Sequence, residues 1–145
     1  GCHSTELWNE NFGSALTNKA FSTWLKKYQN LISCVVFFGG EWQPHALIEK
    51  LLIAKNFALK TCLYSGENFI DIHIAQHLSF LKTGAWQADL GGLESSNTNQ
   101  VFRDLTTGKK LNYLFQKNHS INSTHTSNYH SNNHSITEGA NHVAA

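Results

Sequence analysis

Three short glycine-bearing segments, each at the end of an apolar run, set carboxylate, hydroxyl or ammonium side chains beside glycine. They are Gly39-Gly40-Glu41, Tyr64-Ser65-Gly66-Glu67 and Lys82-Thr83-Gly84. Glycine lets a backbone approach a ligand closely, and two of the segments carry a carboxylate able to pair with an ammonium group. Taken alone, glycine after a strand is as readily ordinary turn chemistry. The cysteines are Cys2, Cys34 and Cys62, an odd number with no framework spacing, which argues against an oxidised secreted domain and for a reducing cytosol. Cys34 and Cys62 sit inside apolar runs, where a thiol behaves as a small hydrophobe. His73 and His77 stand one helical turn apart, a spacing that can hold zinc; with no third ligand near, a partly exposed helix face is the simpler reading.

The elements that must position these residues alternate. Thr17 is a suitable N-cap for a helix to about Gln29, with Leu16, Ala20, Phe21, Trp24, Leu25 and Tyr28 at helical spacing. Cys34 to Phe38 is a continuous apolar run, as expected for a strand buried on both faces. Pro44 suits the first turn of a second helix carrying Ala46, Leu47, Leu51, Leu52 and Ala54. Strands are expected near 33–38, 60–64 and 79–83, with a short helical stretch around Asp71 to His77 before the third. This alternation predicts βαβ units and a parallel sheet, and ligands of such sheets bind where the strands end. The polar stretch Glu94 to Gln100 predicts a long loop, a length usually functional or mobile. Asp104 to Lys109 reads as a turn between two short extended pieces.

Composition narrows the classes. With 145 residues and a formal net charge of +1, the chain suits one domain, and no run of Lys or Arg supports nucleic-acid binding. No apolar stretch approaches the roughly 20 residues needed to span a bilayer, and no signal-peptide pattern opens the chain. Residues 118–145 hold no Lys or Arg and a single acid, Glu138, among Asn, Ser, Thr and His. That tail is expected to be disordered, because it has too little apolar surface to offset its ordering entropy. Its five histidines, at irregular spacings, argue against a defined metal site. Three Asn-x-Ser/Thr sequons at Asn118, Asn122 and Asn133 follow from the same composition. Methionine is absent even at position 1, which points to processing or truncation upstream.

Gly1-Cys2-His3-Ser4 with Trp8, followed by Phe38-Gly39-Gly40-Glu41 after an apolar strand, resembles the radical S-adenosylmethionine superfamily. Within it the pattern is most similar to activating proteins of anaerobic ribonucleoside-triphosphate reductase. There a CxxxCxxC motif ends in Gly-Cys and a Trp follows six residues on, as Trp8 follows Cys2. The family's GGE segment matches Gly39, Gly40 and Glu41, its Thr-Gly turn matches Ser65-Gly66, and its later features match Lys82 to Gly84 and Ser95 to Gln100. The similarity covers residues 1 to about 116.

The resemblance implies a partial (βα) barrel-like parallel sheet over residues 1–117, lacking its first strand, followed by the tail 118–145. It implies a [4Fe–4S] cluster with Cys2 as one ligand, and S-adenosylmethionine held by Gly39, Gly40 and Glu41 at its amino end. Tyr64, Ser65 and Lys82 would line the rest of the pocket. The implied reaction cleaves S-adenosylmethionine reductively and leaves a glycyl radical on the reductase catalytic subunit, with an electron donor protein as second partner and the cytoplasm as setting. One departure matters: of three cluster cysteines only the last is present, and a single thiolate cannot hold the cluster, so the chain as given should not turn over. Two alternatives stay open: another short radical S-adenosylmethionine enzyme, acting on a different glycyl-radical protein or a small molecule, or a non-catalytic scaffold whose His-rich tail binds metal.

Overall fold

A computed structural model describes residues 14–116. The motif from Gly1 to Trp8, with its proposed metal ligand Cys2, and the tail 118–145 lie outside the described residues. Within them the fold is α/β: four strands in a mostly parallel sheet, with three helices. The strands are β1 (Cys34–Phe38), β2 (Lys60–Tyr64), β3 (Phe80–Thr83) and β4 (Val101–Asp104), in spatial order β1-β2-β3-β4. The first three run parallel, pairing Phe38 with Tyr64 and Tyr64 with Lys82. β4 runs antiparallel to β3, with Thr83 opposite Val101.

Each helix begins on a local signal. Thr17 caps α1 (Asn18–Tyr28), its hydroxyl accepting from Ala20 N at 3.1 Å. Pro44 opens α2 (Pro44–Asn56), where a missing N–H costs nothing. Asp71 caps α3 (Ile72–Ala75), accepting from His73 N at 2.8 Å. α2 stops in a Schellman motif: Leu59 N donates to Ala54 O at 3.2 Å and Ala58 N to Lys55 O at 2.8 Å. Ala58 takes the left-handed position of that motif, φ 57°, where glycine is the usual occupant.

One face of the sheet is covered by the helices. Phe37 and Leu63 meet Phe21, Leu25, Leu47, Leu51, Ala54 and Ile74 there, and the Phe21 and Phe37 rings cross at 63° with centroids 6.0 Å apart. The α1 stripe is narrower than its periodicity predicts: Phe21 and Leu25 are buried, whereas Trp24 is 46% exposed and packs beside Tyr28. The opposite face carries a smaller cluster of Cys62, Leu93 and Phe102, flanked by Cys34, Tyr64, Phe80, Leu111 and Phe115. Phe102 lies among three aromatic neighbours, stacked on Phe80 at 5.8 Å and edge-on to Tyr64 and Phe115.

The expectation that β1 is buried on both faces is corrected. Val36 is 42% and Phe38 69% exposed. β1 pairs with β2 alone among the described strands, and the second-face cluster is centred on β2 and β4, so alternate β1 side chains reach past it. β2, with strands on both sides, is the one that is buried through its middle, at Thr61, Cys62 and Leu63. The turn after β4 is fixed by Asp104 Oδ1, which accepts from Thr106 N at 2.8 Å and Thr107 N at 3.2 Å. Desolvation pushes that carboxyl up, but the hydrogen bonds from Thr107 and Thr106 outweigh it and hold it below its usual range. No helix among the described residues is long and apolar enough to cross a membrane.

Candidate functional site

Because β1, β2 and β3 run parallel, they deliver their following segments to one end of the sheet. There the segments are stitched together. Gly39 N donates to Tyr64 O at 2.9 Å, and Gly84 N donates to Glu67 O at 2.9 Å. Ser65, 2% exposed, is the hub: its hydroxyl donates to Glu41 Oε1 and accepts from Glu67 N at 3.0 Å. Lys82, 9% exposed, donates from Nζ to Ser65 O at 3.3 Å and to Gly84 O at 2.7 Å. Glu41, Ser65 and Lys82, set 24 and then 17 residues apart in sequence, thus form one connected group.

Backbone geometry favours glycine at three places here, Gly39, Gly40 and Gly84, which all lie at positive φ. Gly40 sits at φ +104°, which side chains rarely adopt, although a Cβ there would come no nearer than 3.7 Å to Leu47. Gly84, at φ +97°, is also crowded, since a Cβ would stand 3.0 Å from the Asn99 carbonyl oxygen. Gly39 lies under the Trp42 ring, which a Cβ would approach to 2.7 Å. The loop from Gly84 to Gln100 is braced within itself: Asn99 Nδ2 donates to Ala85 O at 2.9 Å and Thr98 Oγ1 to Gly91 O at 3.1 Å.

Not every expected residue joins the group. Tyr64 precedes Ser65 in the strand, so its ring turns away from the Ser65 hydroxyl. It packs edge-on to Phe38 at 5.4 Å and Phe102 at 5.9 Å. His73 is exposed and His77 lies past the end of α3, so the two do not share a helix face. Among the described residues, no three His, Cys, Asp or Glu side chains come together as a metal-binding group. Three features were missed from sequence. Trp42 covers Gly39, for which a Trp next to Gly-Gly-Glu was the only signal. Asn112 anchors β4 by accepting from Phe102 N and donating to Gln100 O, a pairing no local pattern encodes. Asn99 Oδ1 is buried without a partner among the described residues.

The decisive electrostatic feature is the second Glu41 oxygen. Oε2 is buried and has no hydrogen-bond partner among the described residues. A carboxylate oxygen withdrawn from water without a donor is costly, and it provides the acceptor that an incoming ammonium group needs. That acceptor suits an ammonium group, whatever molecule carries it. Among the described residues the cysteines are Cys34 and Cys62, both within strands rather than in the segments that follow them. Burial, and then the Cys34 charge, pushes the Cys62 thiol up to about 12. Burial raises Cys34 as well, partly countered by Lys60. Comparisons with protein-family models, with curated proteins and with solved structures return no match to this chain.

Proposed function

We propose that this chain is the S-adenosylmethionine-binding part of a cytoplasmic radical activase whose partners are an anaerobic ribonucleotide reductase catalytic subunit and an electron donor protein. On this reading the sheet is part of a radical S-adenosylmethionine barrel. The observation that carries it is the Glu41 carboxylate, held by Ser65 through one oxygen and left with a buried, unpartnered acceptor on the other. Glu41 would receive the ammonium of the substrate, with the backbone of Gly39 and Gly40 close beside it. Ser65 fixes the carboxylate, and Lys82 fixes Ser65 by tying its carbonyl to that of Gly84. Tyr64, whose ring packs with Phe38 and Phe102, takes no part in this pocket. A cluster held by Cys2 and two further thiolates, when bound, supplies the single-electron chemistry.

The reading demands two cysteines upstream at CxxxCxxC spacing with Cys2, and the nucleotide sequence preceding the Gly1 codon tests that demand directly. The binding test is calorimetric titration with S-adenosylmethionine in the chain carrying that upstream segment. Glu41→Gln should weaken binding by about 1–3 kcal/mol, the scale of a charge-assisted hydrogen bond, and leave iron content unchanged. Cys2→Ala should remove the iron. Equal affinity in the Glu41 variant, or full iron in the Cys2 variant, refutes the proposal.

A further inference from the structure

Among the described residues two buried side-chain atoms lack a hydrogen-bond partner, Glu41 Oε2 and Asn99 Oδ1. Buried polar atoms are nearly always satisfied, so each orphan calls for an explanation. One chain of contacts joins them at the end of the parallel strands. Glu41 is held by Ser65, Lys82 Nζ links the carbonyls of Ser65 and Gly84, and a Cβ on Gly84 would stand 3.0 Å from the Asn99 carbonyl oxygen. Both orphans are acceptors, so a ligand that satisfies them must bring two donors.

Asn99 is preset for one of those donors. Its Nδ2 donates to Ala85 O at 2.9 Å, which fixes the amide so that the oxygen is the end left over. The next residue is clamped as well: Gln100 N donates to Thr98 Oγ1 at 3.1 Å, and Gln100 O accepts from Asn112 Nδ2 at 2.8 Å. The two acceptors differ in kind. The Glu41 carboxylate suits a cation, whereas an amide oxygen suits a neutral N–H group. They also stand well apart. Glu41 follows β1, while Asn99 lies beside the ends of β3 and β4, two to three strand spacings away and on the order of 10–14 Å. A lone ammonium ion or a free amino acid is too short to reach both.

We propose that Asn99 is a specificity-determining residue: its Oδ1 accepts the neutral amino group of an aminopurine at the far end of the ligand whose ammonium Glu41 receives. The proposal deepens the reading above and rests on it for the ligand, since the base of S-adenosylmethionine carries its one neutral amino group. An amide oxygen fixed as an acceptor discriminates sharply. A base with a carbonyl in place of the amino group sets acceptor against acceptor and leaves both unpaired.

Calorimetric titration of the upstream-extended chain with S-adenosylmethionine and with S-inosylmethionine, which has oxygen in place of the base amino group, tests it. The adenosyl form should bind at least about tenfold more tightly. In Asn99→Ala the two should bind within about twofold of each other, whereas Glu41→Gln should weaken both alike and keep their ratio. Equal binding of the two by the unaltered chain overturns the proposal, because the orphan is then met by water alone. So does an Asn99→Ala variant that weakens both ligands and preserves the preference, the mark of a merely structural residue; S-adenosylmethionine binding in that case leaves the activase reading intact. Adenosine and inosine, compared on the chain as it stands by ligand-detected nuclear magnetic resonance, separate the opposite case. A preference for adenosine that needs Asn99, with no binding of S-adenosylmethionine to the extended chain, would sink the activase reading and leave the assignment of Asn99 standing.

Discussion

Glu41 and Ser65 should be energetically coupled, and a double-mutant cycle measures by how much. In Ser65→Ala the Glu41 carboxylate loses its only described donor, and Glu67 N loses its acceptor at 3.0 Å. A hydrogen bond to a charged group contributes about 1.5–3 kcal/mol when its partner is withdrawn from water. Glu67 is exposed, so water can replace the second bond at little cost. The single substitution should therefore cost about 2–3 kcal/mol. In Glu41→Gln the amide oxygen can still accept from Ser65, but without the charge, so about 1 kcal/mol of the bond is lost. With Glu41 already neutral, Ser65→Ala removes only an ordinary hydrogen bond. The coupling energy should accordingly be about 1–1.5 kcal/mol. The nearby Lys82 charge is common to all four proteins, so its separate effect on each carboxyl state largely cancels in the cycle. Urea unfolding midpoints at pH 7 and constant slope give the four free energies. Additivity within about 0.3 kcal/mol would refute the inference that these side chains form one unit.

Alkaline pH gives a second handle. With the Cys62 thiol raised from 9.0 to about 12, the unfolded state releases its proton first, so stability is whole below pH 9 and falls as pH rises. The slope should approach about 1.4 kcal/mol per pH unit between pH 9.5 and 11, and shrink in Cys62→Val; an unchanged slope in that variant sinks the assignment. Ala58→Gly should stabilise the protein by about 0.5–1 kcal/mol by relieving the left-handed strain at the end of α2, read as a higher urea midpoint. Leu51→Ala, at a site with 0% exposure between helices and sheet, should cost about 2–5 kcal/mol, read as a lower urea midpoint.

The parts of the fold that follow from local physics were readable in the chain. Thr17, Pro44 and Asp71 mark helix starts through their own chemistry, and the runs at Cys34–Phe38 and Lys60–Tyr64 carry the strand signal in a few contiguous residues. The extended piece before Asp104 was also visible, but nothing local says that it adds to the sheet antiparallel to β3. That pairing depends on Asn112, eight or more residues away, holding Phe102 and Gln100. The exposure of Val36 and Phe38 escaped notice for a related reason: apolar content shows what a strand can bury, and neighbours decide what it does bury. At the site, glycine and carboxylate after successive parallel strands sufficed to place Glu41, Ser65 and Lys82 at one end. The orphaned Oε2 had no counterpart in sequence, because it is a statement about the surroundings of a single atom.

The loop between β3 and β4 leaves the sheet at Thr83 and returns at Val101, and these two residues face each other across a strand pair. Its two feet are therefore fixed side by side, and on its way it drops Leu93 into the cluster with Cys62 and Phe102. Lengthening such a loop is cheap, since doubling its length adds only about 0.6 kcal/mol of closure entropy. Trp86, Asp89 and Glu94 ride on it, so its length and sequence can change while the strands beneath keep their register. A graft of a foreign loop between Thr83 and Val101 would then leave the Glu41–Ser65 pair in place, and the chain would behave as a chassis with one interchangeable face.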